Sequence, residues 1–585
     1  MTSRNILFIL IGVVGLLLSC NSEPKHVEYV KLRIIETTDV HGSIFPYNFI
    51  QNKEASGSLA SVYSYVQEQR ANKNIETILL DNGDILQGQP VVYYSNFENT
   101  DKEHICASVM NYMEYDAATV GNHDIEAGHP VYDKLHKEFK FPWLAANAIN
   151  KKTKKPYFKP YVIINRKGIK IAVLGLITPA IPNWLPEKIW QGIEFEDMVV
   201  SARKWIDLIN KNEKPDLIVG LFHAGVDYKY NNQTDTTLKN ENASQLVAKK
   251  VPGFDIIFTG HDHREYNFWL KSSDSSDVLV LDPRSHARYM AVADIEFRWD
   301  KEKNKYHKKI KGDIISTDNI EPDSSFLRKF EDYSTEIKNY VNREIGNFTK
   351  SVSSKEALFG NSEFVDLIHR IQLEISNADI SFTAPLSYNT EIKSGSVYVR
   401  DMFKLYRFEN LLYTMKLSGK EIKAYLEYST DLWFNVMANK NDHLLKLEIA
   451  EDGNVRLASA YYNFSSAAGI NYTINLKGKK GDRVQINGLS NGESFELDKQ
   501  YTVAVNSYRG NGGGGHLTEG SGIPKGKLSS RVINSTEKDL RFFMIEWIAK
   551  KKNITPEKYN NWHVVPKDWW EKAKDKDTKL LFSDN

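Results

Sequence analysis

From residue 30 to about 300 the chain alternates short apolar runs with longer polar or amphipathic stretches, the pattern of strands and helices in a layered α/β domain. The runs are Val30 to Ile35, Thr77 to Leu80, Ala117 to Val120, Ile171 to Ile177, Leu217 to Phe222 and Phe254 to Thr259. Cys106, Val109, Met110 and Met113 fall at i, i+3, i+4 and i+7, the buried stripe of a helix, so Cys106 reads as core rather than as a nucleophile. From Ser316 to about Arg343 the pattern becomes charged and helical, with Phe326, Phe330, Ile337 and Val341 on one face. This stretch predicts a connector helix at 316–345, between a first domain at 30–315 and a second at 346–565. Residues 566–585 read as a tail, and Trp562, Trp569 and Trp570 are expected to pack on the second domain.

Arg4 precedes an apolar run from Ile6 to Leu18, which has signal-peptide length and is too short to span a bilayer. The run ends in Leu17-Leu18-Ser19-Cys20, which resembles a bacterial lipobox. It implies a lipoprotein signal peptide at 1–19, a lipid anchor on Cys20, a tether at 20–29 and a place in the bacterial cell envelope, facing the periplasm or the surface. With 76 lysines and arginines against 75 aspartates and glutamates, the chain offers no basic field for a nucleic-acid polymer, and membrane attachment would fall to acyl chains. Cys106 is the only other cysteine, so with Cys20 acylated packing must hold the fold without an intramolecular disulfide.

Five of the six apolar runs lead directly into residues that can bind a metal, and ligands of α/β sheets gather at strand carboxyl ends. These ends are Asp39-Val40-His41, Asn82-Gly83-Asp84, Gly121-Asn122-His123-Asp124, His223 and Gly260-His261-Asp262-His263. Five of the fifteen histidines fall there with carboxylates and an asparagine, a nitrogen and oxygen supply suited to zinc, manganese or iron. Residues two apart in an extended chain project to one side, which pairs Asp39 with His41 and His261 with His263 and turns Asp262 away. Two such pairs and a bridging carboxylate suffice for two adjacent divalent cations, the arrangement that clamps both oxygens of a phosphoryl transfer. The glycines before Asn122 and His261 are expected to let the backbone turn sharply.

The ordered series resembles the calcineurin-like metallophosphoesterases, and residues 30 to 565 resemble exported nucleotidases that add a C-terminal nucleotide-recognition domain. The resemblance implies an α/β protein: a layered αββα metallophosphoesterase domain, a helical connector and an α+β nucleotide-binding domain. It implies that Asp39, His41, Asp84 and His263 hold one metal and Asp84, Asn122, His223 and His261 the other, with Asp84 as bridge. His123 matches the family histidine that stabilises charge on the phosphoryl group and departing oxygen, and Glu126, three residues on, its carboxylate partner.

Further along, Asn377-Ala378-Asp379-Ile380 and Leu417-Ser418-Gly419-Lys420-Glu421 resemble fold landmarks of the nucleotidase C-terminal domain. Where 5′-nucleotidases have a glycine-rich loop ending in arginine, this chain has Thr383-Ala384-Pro385-Leu386, similar to the branch that hydrolyses 2′,3′-cyclic nucleotides and 3′-nucleotides. Tyr461-Tyr462-Asn463-Phe464 and Ser507-Tyr508-Arg509-Gly510-Asn511, followed by Gly512 to Gly515, agree with that branch. Tyr462 and Tyr508 are the expected pair of base-stacking aromatics, with Phe464 in reserve for the first position. At Gly514, 5′-nucleotidases place an aspartate that grips ribose hydroxyls. The literal G-x-G-x-x-G of Gly510 to Gly515 is no dinucleotide site, because no helix follows to receive a pyrophosphate. The implied reaction converts a 2′,3′-cyclic nucleotide to a 3′-nucleotide and then to nucleoside and phosphate. A 5′-nucleotidase or nucleotide diphosphatase on the same scaffold, and a non-catalytic surface lipoprotein that binds nucleotides or a host ligand, are the alternatives. Oligomeric state is not legible.

Overall fold

The structure is a computed structural model, and it describes residues 27–449 and 453–582; the apolar leader and the Cys20 anchor lie outside the described residues. All six apolar runs are strands, and they belong to two six-stranded sheets packed face to face. In the first sheet the order is Lys305–Ser316, Tyr289–Asp300, Tyr29–Thr37, Glu76–Asp81, Ala117–Thr119 and Trp143–Leu144. In the second it is Glu265–Lys271, Asp277–Pro283, Ile256–Thr259, Leu217–His223, Ile169–Ile177 and Tyr161–Arg166. Tyr29–Thr37 runs parallel to Glu76–Asp81, and Ile169–Ile177, Leu217–His223 and Ile256–Thr259 run parallel to one another, so their carboxyl ends share one rim.

Ile34 and Leu80 of the first sheet meet Val219 and Phe258 of the second in one core, all fully buried. Shortening such a side chain to alanine costs roughly 2–5 kcal/mol, because the sheets close only partly over the void. Helices Leu59–Ala71 and Ile105–Tyr112 cover the first sheet, with Val62, Val66 and Cys106 buried, and Met198–Asn212 and Ser244–Lys250 cover the second. The first domain is therefore αββα, as the sequence implies.

The connector departs from expectation. It forms two helices, Ser324–Lys329 and Glu331–Val341, and Phe326, Phe330, Ile337 and Val341 are buried in the core of the first domain. Their apolar spacing stripes a helix face, and that face packs as a wall of the first domain.

The second domain is built on a five-stranded mixed sheet, ordered Ser466–Ala468, Ile380–Thr383, Gln500–Asn506, Leu411–Ser418 and Val532–Asp539. Ser418 and Glu421 form a reciprocal cap at the start of helix Gly419–Trp433: Ser418 Oγ accepts Glu421 N–H at 3.3 Å, and Glu421 Oε2 accepts Ser418 N–H at 2.7 Å. Within the tail expected at 566–585, a helix runs from Lys567 to Phe582. Its fully buried Asp577 accepts the backbone N–H groups of Leu444 at 2.8 Å and Leu445 at 2.9 Å. Trp562 is buried in this domain's core and Trp569 and Trp570 pack against it, as expected. Among the described residues no helix is long and apolar enough to cross a membrane.

The two domains are stitched by Tyr93, whose hydroxyl donates to Asp539 Oδ2 at 2.9 Å. Its ring meets Phe403 edge to face at 5.3 Å, and the buried Arg541 guanidinium lies 4.8 Å from it and 4.0 Å from Phe403.

Candidate metal and nucleotide site

The seven expected metal ligands meet at the shared strand rim. His263 Nε2 lies 3.1 Å from Asp39 Oδ1 and 3.0 Å from His41 Nε2. His223 Nε2 lies 3.1 Å from both Asp84 Oδ2 and Asn122 Oδ1, and His261 Nδ1 is 2.7 Å from the same Asn122 oxygen. Asp39, His41 and His263 form one convergent group, and Asp39, Asp84 and His223 another. Asp39 is thus common to both groups, whereas the resemblance assigns the shared role to Asp84.

The donor set fits cations. His41 Nδ1 faces the Gln87 carbonyl oxygen at 3.0 Å and His223 Nδ1 that of Asn82 at 2.6 Å, so in the neutral rings these nitrogens carry the proton. Each Nε2 is thereby turned into the site, where the carboxylates call for positive charge: a bound cation, or the second proton that, against burial, Asp84 and Asp39 favour on His223, raising its pKa to about 10. Burial alone would push the Asp39 and Asp84 carboxyls up. His263 and His223 around Asp39, and His223 and His123 around Asp84, instead hold both below the usual range.

The backbone corrects the argument from extended alternation. Asp39, His41, Asp84, His261 and His263 all have positive φ, between 48° and 80°, so the paired ligands sit on turns rather than on straight strand extensions. Non-glycine residues in this region are uncommon and strained, and such strain gathers at functional sites. Gly121 and Gly260 are also not there to turn the chain, since neither has positive φ. Close approach requires them: a Cβ at Gly121 would stand 2.1 Å from Asp84 Oδ1, and one at Gly260 2.2 Å from Thr38 Oγ1.

His123 follows Asn122 in the short helix Asn122–Glu126; its backbone N–H donates to Asp84 Oδ1 at 2.7 Å and its Nδ1 bonds Glu126 Oε2. Burial opposes charge on this ring, yet the Asp84 and Glu126 carboxylates raise its pKa to about 9. Asp124 takes a different part, accepting the N–H groups of Gly121, Asp84, Ile85 and Leu86 at 2.7–3.2 Å and clamping the two ligand loops together. Asp262 turns away from the ligands, as expected, and accepts Val226 N–H at 3.1 Å.

Tyr462 and Tyr508 are both partly exposed, and Tyr508 is near enough to help raise the Tyr462 phenol to about 12, with burial as the larger cause. Arg509 is the staple between their segments: it donates to Tyr462 O at 2.9 Å and Gly513 O at 2.6 Å. At Gly514, with φ of +68°, a Cβ would lie 2.0 Å from Arg509 Nη1 and 2.5 Å from Asn463 Oδ1, so a side chain there would require the Arg509 staple to shift. Phe464 must be withdrawn as a base-stacking reserve, because it is fully buried and stacks on Trp433 at 5.2 Å. Ala384 and Leu386 of the Thr383 to Leu386 segment are likewise core residues.

Sequence reasoning missed Glu241 and His286. Glu241 Oε1 lies 3.4 Å from His261 Nε2, and Glu241 is close enough to help raise the phenols of Tyr230, Tyr462 and Tyr508. His286 lies 5.4 Å from His41, ring to ring, and donates its backbone N–H to Asp39 O at 2.8 Å. It follows strand Asp277–Pro283, a strand end that the same rule would have found had that apolar run been included. Glu241 stands in a loop with no strand-end signal.

Residues 32–265 match the family model described as calcineurin-like phosphoesterase, and residues 344–519 the 5′-nucleotidase C-terminal domain. The trifunctional nucleotide phosphoesterase protein YfkN of Bacillus subtilis is 27% identical over 96% of this chain, which spans 41% of that relative's length. The 2′,3′-cyclic-nucleotide 2′-phosphodiesterase/3′-nucleotidase of Haemophilus influenzae is 25% identical, with 96% of this chain and 92% of that one covered. The 5′-nucleotidase precursor of Thermus thermophilus shares the fold, with a TM-score of 0.61, 19% identity and coverage of 92% of this chain and 100% of that one.

Proposed function

We propose that this chain, which joins a calcineurin-like phosphoesterase domain to a 5′-nucleotidase C-terminal domain, hydrolyses 2′,3′-cyclic nucleotides to 3′-nucleotides and these to nucleosides and phosphate. The observation that carries the reading is the meeting of seven nitrogen and oxygen ligand candidates, from five strand ends, beside His123. Asp39, His41, Asp84, Asn122, His223, His261 and His263 would hold two divalent cations, which when bound polarise phosphoryl oxygens and make water more acidic.

The protein's own groups supply the rest. Asp39 and Asp84 hold negative charge at the floor of the site. Asn122 turns its carbonyl oxygen to His223 and His261, which leaves its amide N–H for a phosphoryl oxygen. His123, whose Nδ1 is held by the Glu126 carboxylate, gives a proton to the departing 2′ oxygen. Tyr462 and Tyr508 take the base between them, and a cyclic phosphate occupies the hydroxyls that an aspartate at position 514 would otherwise grip. The Leu17-Leu18-Ser19-Cys20 segment supports export and lipid anchoring, so the reaction runs outside the cytoplasm.

The test is a panel of 2′,3′-cyclic AMP, 3′-AMP, 5′-AMP and NAD on purified protein, before and after chelation and metal return. The reading expects turnover of the first two, lost on chelation and restored by metal. Preferred turnover of 5′-AMP or NAD would replace it with the 5′-nucleotidase or diphosphatase reading, and turnover that survives thorough chelation would remove the metal chemistry.

A further inference from the structure

Each ring of His41, His223 and His261 has one nitrogen turned into the candidate metal site and the other turned out. For His41 and His223 the outward nitrogen meets a backbone carbonyl, of Gln87 and of Asn82. His261 is turned the other way round. Its Nδ1 points inward, 2.7 Å from Asn122 Oδ1, and its Nε2 points outward to the Glu241 carboxylate at 3.4 Å.

Glu241 is not a surface residue that happens to reach a histidine. Its side chain is only 11% exposed and that of His261 only 13%, so the contact is shielded from water. The backbone on either side is tied down: Glu241 N–H donates to Gln233 Oε1 at 3.0 Å, and Thr178 Oγ1 donates to Glu241 O at 2.9 Å. Trp184 lies against the His261 ring at 5.6 Å with the planes 27° apart, which limits rotation about its axis.

We infer that Glu241 is a positioning residue: its carboxylate accepts the Nε2–H of His261, fixes the tautomer with Nδ1 unprotonated, and so makes His261 a stronger ligand than the carbonyl-held histidines. The inference rests on the two-cation reading of the site. A carboxylate behind a ligand histidine raises its basicity, and losing such a partner typically weakens metal binding by about 10–100-fold.

The test uses the full chain, stripped of metal and titrated with Co(II), whose visible absorption reports the ligand field of each ion. In Glu241→Ala one of the two ions should bind roughly 10–100-fold more weakly while the other stays within about threefold, with the melting temperature of the metal-free protein unchanged. Glu241→Gln keeps an oxygen that can accept the Nε2–H but lacks the charge, so its affinity should fall between those of wild type and Glu241→Ala, with a shifted absorption band for the same ion. Unchanged affinity for both ions in both variants, or an equal loss of both ions, would overturn the assignment. If Glu241→Ala fails to fold, Glu241→Gln decides by the same criterion. A wild-type protein that takes up fewer than two ions would instead overturn the two-cation reading, which separates the two failures.

Discussion

Gly121 and Asp84 approach so closely that the smallest side chain does not fit between them: a Cβ on Gly121 would stand 2.1 Å from Asp84 Oδ1 and 2.4 Å from Asp84 N. Gly121→Ala should therefore displace the Asp84 carboxylate, lower metal content and cost on the order of 1–3 kcal/mol of stability. Metal analysis and a denaturant melt check this, and a variant with both at wild-type levels would show that the loops part without cost.

Loss of a carboxylate shared by two ions should harm more than loss of one histidine. Asp84→Ala and Asp39→Ala should each reduce bound metal below that of His41→Ala or His223→Ala, and comparing the two aspartates reveals which one bridges. Metal per chain is the measurement. Near-normal metal and turnover in Asp84→Ala would leave the bridge to Asp39, the residue common to both convergent groups.

His123→Ala should keep its metal and lose turnover by roughly 10²–10⁴-fold, the usual range for a group that moves a proton in the rate-limiting step. Glu126→Gln should show a smaller loss, because the ring keeps a hydrogen-bond partner but not the carboxylate that helps raise its pKa to about 9. Loss of metal together with turnover in His123→Ala would make His123 a ligand.

Tyr508→Ala should lower kcat/KM for 2′,3′-cyclic AMP by about fivefold to a hundredfold, the equivalent of roughly 1–3 kcal/mol for one stacking face. Turnover of bis-p-nitrophenyl phosphate, which has no base to stack, should hold, and Tyr508→Phe should be nearly silent. Equal losses on both substrates would place Tyr508 in structural packing.

The second domain should be acid-sensitive through His369. Burial holds this ring near a pKa of about 3, between Ser381 Oγ at 2.9 Å and Ser466 Oγ at 3.1 Å. An unfolded histidine titrates near 6.5, so the unfolded chain binds the extra proton between those values. Stability is full above pH 6.5 and falls as pH drops, by about 3 kcal/mol at pH 4.5. Melting of wild type and His369→Gln from pH 7 to 4.5 should show a lower starting point but a shallower fall in the variant. A residual slope from His516, which burial and the neighbouring Arg509 also hold well below the usual histidine range, remains in both.

The strand ends were legible because a buried parallel strand must be apolar along its length and its polar residues must begin where it leaves the sheet. That rule locates all seven ligand candidates and His123. Their geometry was not legible, since Asp39, His41, His261 and His263 adopt left-handed backbone that no alternation rule describes. The connector misled because an amphipathic stripe states only that one face is buried, not against which domain. Phe464 misled for a related reason: an aromatic beside two others carries no mark of the side it faces, and here it faces Trp433. Glu241 gave no signal because it stands in a loop, separated from its partner His261 by the helix Ser244–Lys250 and the strand Ile256–Thr259.

The helix Lys567–Phe582 sets an order on how the protein is made. Residues 29–341, with both sheets and the connector helices, hold a closed core that can form while hundreds of residues remain to be translated. In the second domain Asp577 must arrive before the N–H groups of Leu444 and Leu445 find their acceptor, and Trp570 Nε1 must arrive before Phe359 O finds its donor at 2.7 Å. A nascent chain paused anywhere before residue 567 would thus present a first domain with its sheets already packed beside an unsealed apolar surface. Truncation even this late should unseat the second domain's core rather than merely shorten the protein.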